Sequence, residues 1–270
     1  MLDCKRTPEG DVDGSPVVPQ GAVAARLCGG LVDNAGFNMA WPGDTLRGPA
    51  VTRLVERLND FEPFEQPSVC GLVLSAGFDL VLAYPEGSRL RVDGDTSGNC
   101  AHLTVQGRQT WTGADQLLRE TLALIDSHRW TVNDASMDTA LTCPRRWNNV
   151  TYTAGATPVE PGDQVTVLAC RYRLDPEPST ITQSWDGKLV QSVRVRKPQS
   201  LVREAATNTR VDPCNGAAYD LAMTQDILLI QDRHGDIHVV STAACWANRL
   251  SGPRRYPTPH LTRQVASLLS

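Results

Sequence analysis

Two short segments carry residue types that could bind a metal. The first runs from Asp93 to Asn99 and reads Asp-Gly-Asp-Thr-Ser-Gly-Asn. It places oxygen-bearing side chains at positions one, three and five and glycine at position six, like the first half of a calcium loop. The acidic residue required at position twelve is missing, because Thr104 stands there. A polar turn with Asx-type hydrogen bonds explains the same letters, so we assign no metal here.

The second segment contains His234 and His238, which would form a metal-binding pair on a helix because they are four residues apart. The letters around them instead indicate a hairpin turn, and no Glu lies between them to give a zinc-hydrolase motif. No Gly-x-Ser-x-Gly motif and no glycine-rich phosphate loop occurs. A Ser/His/Asp arrangement assembled from distant positions stays open. We therefore assign no catalytic residue and no cofactor.

The chain contains eight cysteines and no C-x-x-C pair. Zinc sites usually take their ligands from such close pairs, so the spacing favours disulfides formed in an oxidising compartment. The spacings between successive cysteines are 24, 42 and 30 in the first half and 27, 44 and 31 in the second half. This agreement predicts a duplicated four-cysteine unit.

A shared pairing pattern within each half leaves three possible connectivities. We favour first with second and third with fourth, because Cys70 and Cys100 flank strands whose return would bring the two ends together. Each loop of about 30 residues would then stabilise the fold by roughly 3–4 kcal/mol. The expected disulfides are Cys4–Cys28, Cys70–Cys100, Cys143–Cys170 and Cys214–Cys245.

The elements that hold these residues follow the same order in both halves. In the first half, an apolar stripe predicts a helix over 49–59, short strands with brief loops predict an antiparallel meander, and a second helix is expected over 113–125. The second half repeats the strands and the closing helix. The predicted fold is α+β, with two tandem repeats, each an antiparallel β-meander with flanking helices. The second-half segments are 164–170, 226–230, 237–240 and 260–269.

Domain boundaries follow from a polar stretch without periodicity. We expect a first repeat over 1–126, a connector over 127–142 and a second repeat over 143–270. Trp130 lies in the connector and Trp147 just beyond it. These tryptophans are predicted to line a binding groove between the halves, and the alternative is that they pack the periphery of each half.

Composition restricts the class of partner. The 270 residues have a net charge of -4 and a pI of about 5.7, so neither nucleic acid nor an anionic membrane is expected as a ligand. No apolar run approaches the ~18 residues of a membrane span. The chain begins in polar sequence, so we expect that its export signal or anchor is not part of this sequence.

Only three of the 26 basic residues are lysine. Together with the cysteine spacing, this arginine-rich composition resembles uncharacterised exported or membrane-anchored proteins of actinobacteria with a duplicated four-cysteine module. The resemblance implies an extracytoplasmic location and an architecture, and it carries over no site residue. We predict a non-enzymatic binding module for a protein or cell-wall component. The alternatives are an extracytoplasmic hydrolase with a scattered polar site and a structural spacer.

Overall fold

The computed structural model describes residues 2, 4, 18–32, 38–70, 77–105, 109–131, 140–154, 159, 165–174, 187–207, 224–242 and 259–270. The chain separates into two compact units. Unit 1 contains residues 1–31 and 40–132, and unit 2 contains residues 32–39 and 133–270. The described elements are helices and antiparallel strands, which confirms the α+β class. Over the described ranges, no helix is both long enough and apolar enough to cross a membrane.

The first half of the chain forms a six-stranded antiparallel sheet in the order β4-β1-β5-β6-β7-β8. Strands β5, β6 and β7 form an antiparallel meander as predicted, whereas β8, which extends it, was not predicted, and most of the expected strand over 69–74 lies outside the described residues. Strand β1 is inserted between β4 and β5. The elements are β1 (Ala24–Cys28), β2 (Gly30–Val32), β3 (Asn38–Ala40), β4 (Leu46–Arg47), α1 (Pro49–Asn59), β5 (Phe78–Ala83), β6 (Arg89–Asp95), β7 (His102–Val105), β8 (Gln109–Trp111) and α2 (Ala114–Thr131).

Helix α1 has the predicted bounds and buries its predicted stripe, because Pro49 suits the first turn and the apolar residues recur at helical spacing. The stripe is buried, and α1 contacts α2 and β4. The buried residues of α1 are Val51, Leu54, Val55 and Leu58.

Helix α2 is longer than predicted, since it continues to Thr131 instead of ending near Ile125. Its buried face repeats every four residues through Thr121, Ile125 and Arg129. Threonine and arginine are not apolar, so the stripe could not be recognised from hydrophobic periodicity. Residues 127–131, predicted as part of the connector, are helical.

The segment predicted as a polar turn from Asp93 to Asn99 begins as strand, because Asp93, Gly94 and Asp95 belong to β6. Gly94 lies directly opposite Phe78 on β5. A β-carbon added at Gly94 would overlap the ring of Phe78. The glycine is therefore required for packing between two strands, and the true turn starts at Thr96.

Unit 2 contains a four-stranded antiparallel sheet in the order β11-β10-β12-β13. Both of its faces are covered by apolar residues. One core lies between the sheet and the helices, and the other lies on the opposite face around Trp147. The elements are β9 (Thr151–Thr153), β10 (Thr166–Leu174), β11 (Gly187–Arg194), α3 (Gln199–Thr207), β12 (Thr224–Gln231), β13 (Ile237–Ser241) and α4 (Pro259–Leu268).

Three of the four expected disulfides are present, which confirms the pairing of first with second cysteine in both halves and of third with fourth in the first half. Their Cα–Cα separations are 5.6, 5.5 and 6.0 Å, in the usual range for a disulfide. The three bonds are Cys4–Cys28, Cys70–Cys100 and Cys143–Cys170. The fourth expected pair, Cys214–Cys245, lies outside the described residues.

Candidate functional site

A row of four residues crosses the outer face of the unit 1 sheet, which is the face opposite the two helices. Cys28 on β1 is paired with Asp79 on β5, Asp79 with Asp93 on β6, and Asp93 with Thr104 on β7. Residues paired across antiparallel strands point to the same face, so the two carboxylates are direct neighbours. Two like charges at such a pair are unfavourable unless a counter-charge joins them.

Arg91 supplies that counter-charge from the same face of β6. Its terminal nitrogen Nη2 lies 2.8 Å from Oδ2 of Asp79, and its Nε lies 2.6 Å from Oδ1 of Asp93. The three side chains keep 30%, 23% and 42% of their surface exposed, for Arg91, Asp79 and Asp93 respectively. One guanidinium therefore neutralises two carboxylates only in part, and the cluster keeps a formal charge of -1 when both are ionised.

The environment of Asp79 changes its acidity. Burial raises the pKa of Asp79 to about 6, and the hydrogen bond with Asp93 adds to the rise, while the ion pair with Arg91 opposes it. Partial burial disfavours the charged form, which explains the direction. Asp79 can consequently exchange a proton close to neutral pH.

Next to the charged cluster, the same face is apolar and is covered by Leu2. Leu2 packs on Ala24, Cys28 and Val81, and its carbonyl oxygen accepts a 2.7 Å hydrogen bond from Arg26. The Cys4–Cys28 disulfide attaches Cys4 to β1 at Cys28, the residue that is paired with Asp79 on β5. The face thus has a closed apolar half and a partly exposed charged half.

The β5–β6 and β12–β13 hairpins have the same turn. Tyr84 N–H donates to Ser88 O at 3.0 Å, and Asp232 N–H donates to Asp236 O at 3.0 Å. The fourth residue is in both cases a glycine with positive φ, 91° for Gly87 and 83° for Gly235, a conformation that glycine adopts without strain. The two hairpins can therefore be compared residue by residue from the turn outward.

Counted from this turn, the charged positions of unit 1 are uncharged in unit 2. The residues equivalent to Asp79, Arg91 and Asp93 are Ile227, Val239 and Ser241. Ile227 and Val239 lie in the buried core around Trp147, which covers the corresponding face of unit 2. The antiparallel sheet itself therefore does not require charges at these positions.

The predicted histidine pair lies at the β12–β13 hairpin. His234 is in the turn, whereas His238 is in β13 and is buried, with its Nε2 3.1 Å from Oδ2 of Asp232. Burial raises the pKa of Asp232, but hydrogen bonds from His238 and from the backbone N–H groups of Asp236 and His234 outweigh it and leave the pKa below its ordinary value. Asp232 therefore holds the turn together, and the sequence did not reveal this pair.

The predicted calcium-like segment contains an Asx turn, in which Ser97 N–H donates to Oδ1 of Asp95 at 2.8 Å. This is the alternative that the sequence favoured. Within the ranges that the structure covers, no three His, Cys, Asp or Glu side chains lie close enough together to hold a metal ion.

The two predicted binding tryptophans lie in opposite environments. Trp147 is fully buried in unit 2, with its ring edge-on to Tyr172 at a centroid distance of 5.3 Å. Trp130, near the end of α2, is 74% exposed. Trp147 presents no surface to a partner in this conformation, while binding through Trp130 stays a prediction.

Sequence reasoning missed the Asp79–Arg91–Asp93 cluster, although a signal was available. Strand β6 alternates apolar and polar letters, as in Arg89-Leu-Arg-Val-Asp93, which places its charged residues on one face, and Asp79 is the one charged residue of β5. The alternation does not say which residues stand opposite each other, because that depends on the register of the hairpin. Comparison with known proteins found no matching family model, no matching curated protein and no matching solved structure.

Proposed function

We propose that this chain is a non-enzymatic binding module of the extracytoplasmic space, built from two copies of one four-cysteine unit. In this proposal its partner is a protein or a cell-wall component. The Asp79–Arg91–Asp93 cluster on the outer face of unit 1 contacts that partner. The resemblance to exported actinobacterial proteins agrees with this location and belongs to the same proposal.

The location is supported by the disulfides. Three of them link residues of the described chain, and disulfides persist in oxidising compartments and are rare in the cytosol. They indicate an oxidising, extracytoplasmic environment for the folded protein.

The duplication is supported by the strand register. Asp79 and Ile227 are equivalent when counted from the shared hairpin turn, and their partners on the preceding strands are Cys28 and Cys170. Each of these two cysteines forms the first disulfide of its half. The hairpin was aligned without reference to any cysteine, so this coincidence is independent support for two copies of one unit.

The observation that carries the binding surface is the contrast between the two units. Unit 2 covers its outer face with a buried tryptophan and apolar strand residues, whereas unit 1 has three partly exposed charges at the equivalent positions. Charged residues at these positions give up the stability that an apolar core would add, as the core of unit 2 does. Functional surfaces are characteristically less stable than the fold allows. Two carboxylates and one guanidinium offer both hydrogen-bond acceptors and a donor to a partner.

Site-directed photo-crosslinking on cell-envelope preparations tests this proposal. A photo-crosslinking residue at Thr104, in the same row as Asp93, should capture an envelope component, whereas one at the exposed Arg119 of α2 should not. The capture should disappear in an Asp79→Asn/Arg91→Gln variant. Equal capture from both positions, or capture that survives the double substitution, would remove this face from the argument.

The raised pKa of Asp79 favours a hydrolase as a second candidate. A carboxyl group with a pKa of about 6 can donate a proton near neutral pH, which is the property that a general acid needs. Incubation with purified peptidoglycan distinguishes the candidates. Release of soluble fragments that is lost in Asp79→Asn would support the hydrolase, and binding without release supports the module.

A further inference from the structure

A row of three basic residues crosses unit 2 at one end of its sheet. Lys188 on β11 is paired with Arg173 on β10, and on its other side it forms an antiparallel bridge with Arg146. The hydrogen bond from Leu189 N–H to Arg145 O, 2.9 Å long, fixes the position of the outermost segment. We call Arg146, Lys188 and Arg173 the basic row.

The side chains of the basic row share one face. Trp147, Leu189 and Tyr172, each the neighbour in sequence of one member of the row, all belong to the apolar core on the opposite face. Since strand residues alternate between faces, the three cations point away from that core. Neighbouring strands are about 5 Å apart, so the backbone positions of the three residues form a line at about that spacing.

On this face, the chain at the end of α4 contacts the sheet next to the basic row. Arg171, two residues before Arg173, donates a 2.8 Å hydrogen bond to the carbonyl of Leu269 at the end of α4. All three residues of the basic row lie beyond this point and are exposed. The row is therefore open to solvent at the margin of the helical layer.

A carboxylate that the structure describes on the neighbouring strand is already engaged. Asp226 lies opposite Arg171 and receives two hydrogen bonds from it, with Nε–Oδ1 at 2.7 Å and Nη2–Oδ2 at 2.8 Å. Arg173 and Lys188 have no ion-pair partner among the described residues. Like charges directly opposite each other on neighbouring strands destabilise a sheet. For the Arg173–Lys188 pair, no ion pair within the described ranges offsets this cost, and an anionic ligand would offset it.

We propose that the basic row binds a linear polyanion whose phosphate groups lie along the line of the three cations. Arginine and lysine are the side chains that bind phosphate oxygens through charge-assisted hydrogen bonds. The three cations lie on neighbouring chain segments, so a chain of linked phosphates can contact all of them along the row. The hydroxyl of Thr224, paired with Arg173 on its other side, extends the line with a further donor. This site is separate from the Asp79–Arg91–Asp93 cluster and does not depend on its function.

Calorimetric titration of the full chain with inorganic tripolyphosphate tests the proposal. The wild type should bind, and Arg173→Gln/Lys188→Gln should weaken binding by about tenfold or more, because two charge-assisted contacts are lost. Arg263→Gln, which removes an exposed charge from α4 in the same unit, serves as the control and should bind like the wild type. The dependence of log Kd on log salt concentration should flatten by about one unit for each cation removed.

Several results would overturn the proposal. Equal loss of affinity in Arg263→Gln would show a non-specific effect of net charge. Orthophosphate binding as tightly as tripolyphosphate would exclude a linear ligand. Binding to vesicles containing an anionic phospholipid, without binding to tripolyphosphate, would assign the row to a membrane surface.

Thermal unfolding without any anion gives a second measurement. Lys188→Gln should raise the Tm at low ionic strength, because it removes the central like charge of the row. Tripolyphosphate should raise the Tm of the wild type and leave that of the double variant unchanged. A lower Tm for Lys188→Gln would mean that the row stabilises the fold and would contradict the proposal.

Discussion

Arg129, near the end of α2, forms a two-bond ion pair with Asp44, which lies in the loop before β4. The Nε–Oδ1 distance is 2.9 Å and the Nη2–Oδ2 distance is 2.5 Å. Side-chain exposure is 3% for Arg129 and 19% for Asp44, so the pair is largely shielded from water. This contact explains why α2 continues past the predicted end, since the last turn is held by a residue 85 positions earlier in the chain.

Asp44→Ala should therefore destabilise the protein by about 2–3 kcal/mol, because it leaves a buried guanidinium without its carboxylate. Urea unfolding measures the change. Glu120→Ala is the matched control: it breaks the exposed Arg57–Glu120 pair and should cost less than about 1 kcal/mol. Similar losses in the two variants would mean that the Arg129–Asp44 pair contributes little.

Gly94→Ala should destabilise unit 1 by about 1–3 kcal/mol, because the added methyl group would meet the ring of Phe78. The control is the double variant Gly94→Ala/Phe78→Leu, in which the smaller side chain makes room. Recovery of part of the lost stability, measured by thermal unfolding, is expected. If the double variant is less stable than the sum of both single changes, the overlap is not the cause.

Asp79→Asn should stabilise the protein at alkaline pH. The pKa of Asp79 is about 6 in the folded protein and 3.8 as its ordinary value, so the folded state holds the proton more tightly than the unfolded state. Stability then falls as the pH rises from about 4 to 6, and the cost of the charged carboxylate is complete above this window. After allowance for solvent screening, the gain should be about 1 kcal/mol at pH 8 and close to zero at pH 4.

The measurement is denaturant unfolding of the wild type and Asp79→Asn at both pH values, with the exposed Glu56→Gln of α1 as control. The control should show no comparable pH dependence. A gain of the same size at pH 4 and pH 8 would contradict a raised pKa of Asp79.

Trp147→Ala should cost about 3–5 kcal/mol, because the side chain fills the core around Tyr172. Trp130→Ala should change stability by less than about 0.5 kcal/mol, since Trp130 is mostly exposed. Unfolding followed by circular dichroism compares the two variants. Loss of partner binding in Trp130→Ala at unchanged stability would support the predicted binding role of Trp130.

Protein made under oxidising conditions should contain no free thiol, with Cys214 and Cys245 joined as the fourth disulfide. The repeated spacing predicts this bond, and the three described disulfides follow the same pattern. Peptide mapping without reduction checks it. Two or more titratable thiols in the denatured, unreduced protein would contradict it.

The sequence predicted those features that depend on local patterns or on the cysteine spacing. Helix α1 has its predicted bounds because Pro49 and a complete apolar stripe determine them without help from the rest of the chain. The three described disulfides were predictable because equal spacing in two halves restricts the pairing.

Features that depend on contacts between distant segments could not be predicted from the sequence. Gly94 resembles a turn glycine until Phe78 is known to lie opposite. The apolar periodicity of α2 stops after Ile125, and only the pairing of Arg129 with Asp44 accounts for its last turn. The same holds for Asp79 and Arg91, whose proximity depends on hairpin register. In each case the decisive partner is a long-range neighbour, which a local window cannot show.

The assignment of residues 32–39 to unit 2 has a consequence for the order of events during biosynthesis. Asn38 donates backbone and side-chain hydrogen bonds to the carbonyl oxygens of Val150 and Asn148. Because a chain emerges from the ribosome or an export channel with its N-terminus first, this segment must wait for its partners while more than a hundred further residues follow. A fragment that begins at residue 133 would therefore lack one segment of unit 2. A peptide of residues 32–39, added in trans, would supply the missing segment.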